Sequence, residues 1–225
     1  PLPRLFLEDV PLPCESLPPE FHVDELMKRN LLWLAVHFVA SLDFRPGPST
    51  LGEDKPKTLG ANLPAISVLA SSLSRSRILK RLNLRSSALG EQGGIALATA
   101  IGQCQHLRWL DLADNKLGPR AAVQIAHAVE KGNGLEVLDL SCNDIGDEGM
   151  RGLAGHLLNC RCLTELHLSR NGLGGQGIDA LVEALYACLS LRVLGLGHNK
   201  IDLAAATCLL QVTVATGALK ELRLE

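Results

Sequence analysis

Apolar positions along this chain recur with a fixed period. The block Leu-x-x-Leu-x-Leu stands at Leu79-Leu82-Leu84, Leu107-Leu110-Leu112, Leu135-Leu138-Leu140, Leu163-Leu166-Leu168, Leu191-Leu194-Leu196 and Leu219-Leu222-Leu224, each block beginning 28 residues after the last. Alternation inside the block predicts a short strand with one buried face. A second pattern follows at helical spacing. Leu97, Ile125, Leu153, Leu181 and Leu209 share one position, and Ile101, Val129, Leu157 and Leu185 share the position four later. Residues so spaced lie on one helix face. Gly93, Ala121, Gly149, Gly177 and Ala205 also align, and small residues there predict a close approach of helix to sheet. Each unit therefore reads as strand, turn, helix and return loop. A single unit cannot bury its leucines, so units stack into an α/β solenoid, a horseshoe with a parallel sheet inside and helices outside.

The turn after each strand carries Asn115, Asn143, Asn171 and Asn199. A sharp turn leaves backbone N–H and C=O groups without ladder partners, and a buried amide side chain serves both. The unit beginning at Leu79 has Ser87 instead, so its turn is expected to be held less firmly.

The pattern weakens toward the start. Leu2-Leu5-Leu7 reads as a strand near 4–7, Val23 to Arg29 as a short helix, and Leu31-Leu34-Val36 as a strand near 33–36. The interval from Leu31 to Leu79 is longer than one repeat, and the surplus, Asp43 to Lys57, is rich in Pro, Gly and charge. It reads as an inserted loop at 43–57, with a helix resuming at Leu63 to Leu73. Strands are thus expected near 4–7, 33–36, 81–84, 109–112, 137–140, 165–168, 193–196 and 221–224, in one domain spanning 1–225. The chain starts at Pro1 without Met and opens and closes on expected strands, so it reads as a piece of a longer protein. Bare terminal repeats predict self-association of the isolated piece, checked by sedimentation.

Strand alternation sends three columns of side chains into the hollow. The first runs Arg4, Trp33, Arg81, Trp109, Val137, Glu165, Val193, Glu221; the second Phe6, Ala35, Asn83, Asp111, Asp139, His167, Gly195, Arg223; the third Glu8, His37, Arg85, Ala113, Ser141, Ser169, Gly197, Glu225. The chain has only seven aromatic Phe, Trp and Tyr residues, and both tryptophans and one phenylalanine fall in these columns. Trp and Arg are enriched at binding hot spots. The candidate partner-binding residues are Phe6, Trp33, Arg81, Arg85, Trp109, Asp111 and Asp139, continued by Glu165 and His167. A plainer reading has Trp109 covering the stem of Arg81 across the strands, and Trp33 in the core if its register shifts by one. Gly195 and Gly197 either tolerate an open face or admit a partner's backbone.

Charge and composition narrow the classes of function. A formal net charge of −2, with both signs scattered, gives no footprint for nucleic acid or an anionic membrane. The longest apolar stretch, Leu31 to Leu42, is about half a membrane span. An odd count of seven cysteines gives no disulfide framework and suggests reduced thiols, hence cytoplasm or nucleus. Cys160 and Cys162 lack a second pair at zinc spacing. The sequence has no phosphate loop, zinc helix or nucleophile elbow. Asp111 and Asp139, at equal positions in adjacent units, are the nearest thing to a catalytic pair, and acidic ladders on such sheets more often meet basic partners. No cofactor, metal or small-molecule substrate is expected.

The signature Leu-x-x-Leu-x-Leu-x-x-Asn-x-Leu-Gly stands as Leu107 to Gly118 and as Leu163 to Gly174. With it the chain resembles the ribonuclease-inhibitor-like leucine-rich-repeat family. It departs from ribonuclease inhibitor, which alternates two repeat lengths, and is similar to the uniform repeats of Ran GTPase-activating proteins, NOD-like receptor sensor domains and ciliary scaffold subunits. The resemblance implies a protein-binding scaffold, a subunit of a larger assembly, in the cytoplasm, nucleus or cilium. Its alternatives are activation of a small GTPase, for which Arg81, Arg85 or Arg45 would supply charge, and the sensor segment of a NOD-like receptor.

Overall fold

The computed structural model describes Arg4–Leu5, Phe21–His22, Ser41–Asp43 and residues 63–225 apart from Asn133. Strands β1 (Arg4–Leu5) and β2 (Phe21–His22) form a two-stranded antiparallel sheet. The main sheet has seven parallel strands in chain order: β3 (Ser41–Asp43), β4 (Arg81–Asn83), β5 (Trp109–Asp111), β6 (Val137–Asp139), β7 (Glu165–His167), β8 (Val193–Gly195) and β9 (Glu221–Arg223). Helices α1 (Leu63–Leu73), α2 (Gly90–Gln103), α3 (Gly118–Gly132), α4 (Gly146–Leu157), α5 (Gly175–Ala187) and α6 (Leu203–Thr216) alternate with β3 to β9. The result is a leucine-rich-repeat solenoid of α/β class.

Pairing is in register by whole repeats: Leu82 faces Leu110, Leu110 faces Leu138, and so on to Leu222. Leu82, Leu110, Leu166 and Leu194 are wholly buried, and one hydrophobic cluster runs from Ile66 to Val212. Helix faces close it, with Leu97 and Ile101 of α2 and Ile125 and Val129 of α3 inside. Asp202 opens α6 by accepting the Ala205 N–H at 2.8 Å, and Gly217, at φ 59, ends it.

Two expectations need correction. First, Leu5 lies in a strand that pairs antiparallel with Phe21–His22 and does not join the parallel sheet. Second, the strand beside Arg81 is Ser41–Asp43, with Leu42 facing Leu82. The block Val39-Leu42-Phe44 is the same apolar motif with Val and Phe in place of leucine, so a search for leucines passed over it. Asp43 therefore belongs to a strand and not to an inserted loop. The expected helix 23–29, the expected strand at 33–36 and the rest of the 43–57 loop lie outside the described residues, as do Phe6, Trp33 and Arg45.

The aligned small residues also have a different neighbour from the one expected. A Cβ on Gly149 would sit 2.8 Å from the Pro119 Cα, and one on Gly177 would sit 3.2 Å from the Asp147 Cα. Both contacts are with the preceding helix. The small position sets the helix-to-helix spacing between repeats, not the distance to the sheet.

Candidate functional site

The inner face of the sheet is held rigid by its turns. Asn143 Oδ1 accepts the N–H groups of Asn115 (3.0 Å) and Leu117 (3.3 Å), while its Nδ2 donates to the carbonyls of Leu112, Leu140 and Ser141 at 2.9, 2.9 and 3.1 Å. Asn115 and Asn171 repeat this pattern, and Asn199 repeats most of it. The residues on each side of Asn115, Asn143 and Asn171 adopt the left-handed region, as Asp114 and Lys116 do at φ 56 and 54, whereas at Asn199 only His198 does. Such a conformation costs about 1–2 kcal/mol per non-glycine residue, and the buried amide ladder offsets it. Ser87 keeps the same backbone geometry, with Ser86 at φ 55 and Ala88 at φ 51, because Asn115 holds its N–H from the next repeat. Its own hydroxyl is buried without a hydrogen-bond partner among the described residues.

On this frame the candidate residues fall into three groups. Arg81 and Trp109 are register partners, and the Arg81 guanidinium lies 4.8 Å from the Trp109 ring centroid. The plainer reading of Trp109 thus describes the resting geometry, in which the exposed Arg81 is braced by a half-buried ring. Arg85 stands between two carboxylates, 4.0 Å from Asp111 and 3.9 Å from Asp139. Asp111 is only 6% exposed. Its Oδ1 accepts the Ala113 N–H at 2.9 Å, Asp139 Oδ1 accepts the Ser141 N–H at 2.8 Å, and Asn83 Oδ1 accepts the Arg85 N–H at 3.0 Å. This column therefore fastens the strand ends as well as facing the hollow, a role the sequence reading missed. The i, i+2 spacing of Asp and the turn is the signal that would have shown it.

The third group is Glu165 and His167, with 3.8 Å between Glu165 Oε2 and His167 Nε2. Beyond it, Arg223 donates to Glu221 at 2.6 Å. That hydrogen bond holds the Glu221 carboxyl below the usual carboxylate range and raises the Arg223 guanidinium. The two glycines are explained from within the chain. A Cβ on Gly195 would lie 2.9 Å from His167 Nδ1, and one on Gly197 would run into the Glu225 carbonyl. The chain's own backbone, not that of a partner, approaches Gly197.

Among the described residues the buried cysteines are Cys104, Cys160 and Cys188, and burial pushes the Cys160 thiol up to about 12. Cys162 is exposed. Among the described residues no helix is long and apolar enough to cross a membrane. The inner face thus carries a braced cation, a cation between two carboxylates and a half-buried acid–imidazole pair, side by side on one sheet.

Comparison with known proteins places this geometry. The leucine-rich-repeat family model matches residues 75–98, 103–126, 135–154 and 159–182. No curated protein matches the chain. Among solved structures, leiomodin-1 actin-binding site 2 is similar at 17% identity and a TM-score of 0.57, covering 72% of this chain and 91% of that one. The tropomodulin C-terminal domain of Caenorhabditis elegans is similar at 17% identity and a TM-score of 0.58, covering 68% of this chain and 93% of that one. At such identities the likeness is one of fold. The recurring strand, asparagine turn and helix, together with these matches, show a leucine-rich-repeat fold, with four repeats between residues 75 and 182 matched by the leucine-rich-repeat model.

Proposed function

We propose that this chain binds another protein on the inner face of its sheet, through a patch centred on Arg81, Arg85 and Trp109. The observation that carries the reading is pre-organisation. Arg81 is held over Trp109 and Arg85 between Asp111 and Asp139 before any partner arrives. A partner meeting fixed side chains loses less conformational freedom on binding, so more of the contact energy is retained as affinity. Aromatic and arginine anchors are also the residues on which interface energy concentrates. Val137, Asp139, Glu165 and His167 continue the patch with mixed charge, which suits a partner presenting both signs.

The reading is of a non-catalytic scaffold of the ribonuclease-inhibitor-like kind, supported by the uniform 28-residue offset of the asparagine bonds. Activation of a GTPase fits less well. Of the arginines it would call on, Arg81 is stacked and Arg85 is ion-paired, whereas a transferred phosphate needs a cation ready to reach it. Actin, bound by the leiomodin neighbour, is the first defined partner to assay.

The test is affinity capture from cell extract with the unmodified chain, with an Arg81→Ala, Trp109→Ala double variant of matched melting temperature, and with Arg151→Ala on the exposed surface of α4. Proteins retained by Arg151→Ala and lost from the double variant support the reading. Identical retention by all three removes the inner face from consideration.

A further inference from the structure

We propose that His127, Glu130 and His156 form a binding site for one divalent transition-metal ion of the zinc class, at the edge of the solenoid where helices return to strands. None of the inner-face residues takes part. His127 and Glu130 are three residues apart on α3 and so share a face of that helix. His156 comes from the last turn of α4, packed alongside. Glu130 Oε2 lies 2.6 Å from His156 Nδ1 and 3.7 Å from His127 Nδ1. One donor atom from each of the three residues falls within 4.8 Å of the others. Tetrahedral zinc with bonds of about 2.0–2.1 Å needs donors about 3.3 Å apart. The two distances here bracket that value, so small side-chain rotations close the site. Two imidazoles and a carboxylate are also a ligand set that zinc favours when it keeps an open fourth position.

The open position has somewhere to face. A surface cavity of about 570 Å³ is lined by His127, Glu130 and Asn159 together with residues of the two return loops. Asn159 Nδ2 donates to Glu130 Oε1 at 2.6 Å, which fixes the carboxylate and leaves Oε2 turned to the imidazoles. Outer partners of this kind orient metal ligands. Helices α3 and α4 both end here, at Gly132 and Leu157, so their carbonyl ends add negative potential. Lys131 and Arg161, both exposed, also line the cavity.

A hydrogen-bonded cluster without metal is the competing account. It explains His156, Glu130 and Asn159, whose contacts are short. It leaves His127 Nδ1 buried and without a hydrogen-bond partner among the described residues. A metal bond satisfies that atom. The Cys160 thiol donates to the His156 carbonyl at 3.4 Å and is not among the three clustered donor atoms. Cys162 lines the same cavity.

The chelator-treated full chain is titrated calorimetrically with Zn²⁺, and optically with Co²⁺. The proposal expects one ion per chain and a cobalt spectrum without thiolate charge transfer. It also expects the melting temperature to rise by roughly 5–10 °C when free zinc exceeds the dissociation constant a hundredfold. His127→Ala and His156→Ala each weaken binding by roughly tenfold or more, Asn159→Ala weakens it less, and His106→Ala leaves it unchanged. Melting curves taken without metal show that each variant remains folded. Binding unaffected by His127→Ala and His156→Ala overturns the proposal. So does a thiolate charge-transfer band removed by Cys162→Ser, and so does a dissociation constant above the millimolar range.

Discussion

The two edges of the solenoid are built on different principles. At the strand-to-helix edge, one asparagine per repeat bonds to its own turn and to the preceding one, so Asn115, Asn143, Asn171 and Asn199 form a continuous ladder, buried at the first three. Among the described residues no such ladder runs at the helix-to-strand edge. Local groups meet there instead, with His127, Glu130, His156 and Asn159 clustered between α3 and α4 and Arg108 donating to carbonyls near its own loop. Periodic chemistry fixes the frame at one edge, and unique chemistry is free to collect at the other. A frame whose side chains are committed to backbone bonds on one side leaves the other side open to acquire a site.

The contrast can be broken by substitution. The largest effect is expected from Asn143→Ala, which strips two N–H groups and three carbonyls of their side-chain partner in the buried turn. It should cost roughly 1–3 kcal/mol, seen as a fall in melting temperature. An unchanged melting curve would refute the ladder as a source of stability. Lys116→Gly should act in the opposite sense by about 0.5–1 kcal/mol, because Lys116 sits at φ 54 where the equivalent residue two repeats on is Gly172. Ser87→Asn should add about 0.5 kcal/mol. The carbonyls of Leu112, Leu140 and Leu168 each accept from two ladder amides, whereas that of Leu84 accepts from Asn115 alone. Urea midpoints of the two variants against the parent chain would show a sign error directly.

The smallest effect belongs to the other edge. Hydrogen bonds from His156 and Asn159 hold the Glu130 carboxyl below its usual value. The stability it contributes is therefore present above the ordinary carboxylate pKa and is lost as pH falls through the lowered one. Glu130→Gln should lower the melting temperature slightly at neutral pH and flatten its decline as the pH falls through the carboxylate range. A decline as steep as that of the parent would mean that the cluster contributes nothing.

How much of this the sequence disclosed follows the same division. The strands at Arg81, Trp109, Val137, Glu165, Val193 and Glu221, the helix faces and the asparagine turns were legible because each recurs at one repeat position. The strand at Ser41–Asp43 was not, because Val39 and Phe44 replace the leucines that marked the others. Asp111 and Asp139 were recognised as neighbours, but their bonds to Ala113 and Ser141 depend on where the strand ends, which the pattern fixes only to a residue or two. His127 and His156 occupy different positions in their repeats, so no column contained both. Their meeting depends on how α3 packs on α4, a spacing set by the contact of Gly149 with Pro119.

The claim that the inner face is where a protein partner lands is tested most directly by site-specific photo-crosslinking. A photoreactive residue is placed at position 81 on the sheet, and separately at position 151 on α4, and each chain is irradiated in cell extract. The account predicts a discrete protein adduct from position 81 that is absent from position 151. Adducts from position 151 with none from position 81 would move the partner to the helical face and contradict it.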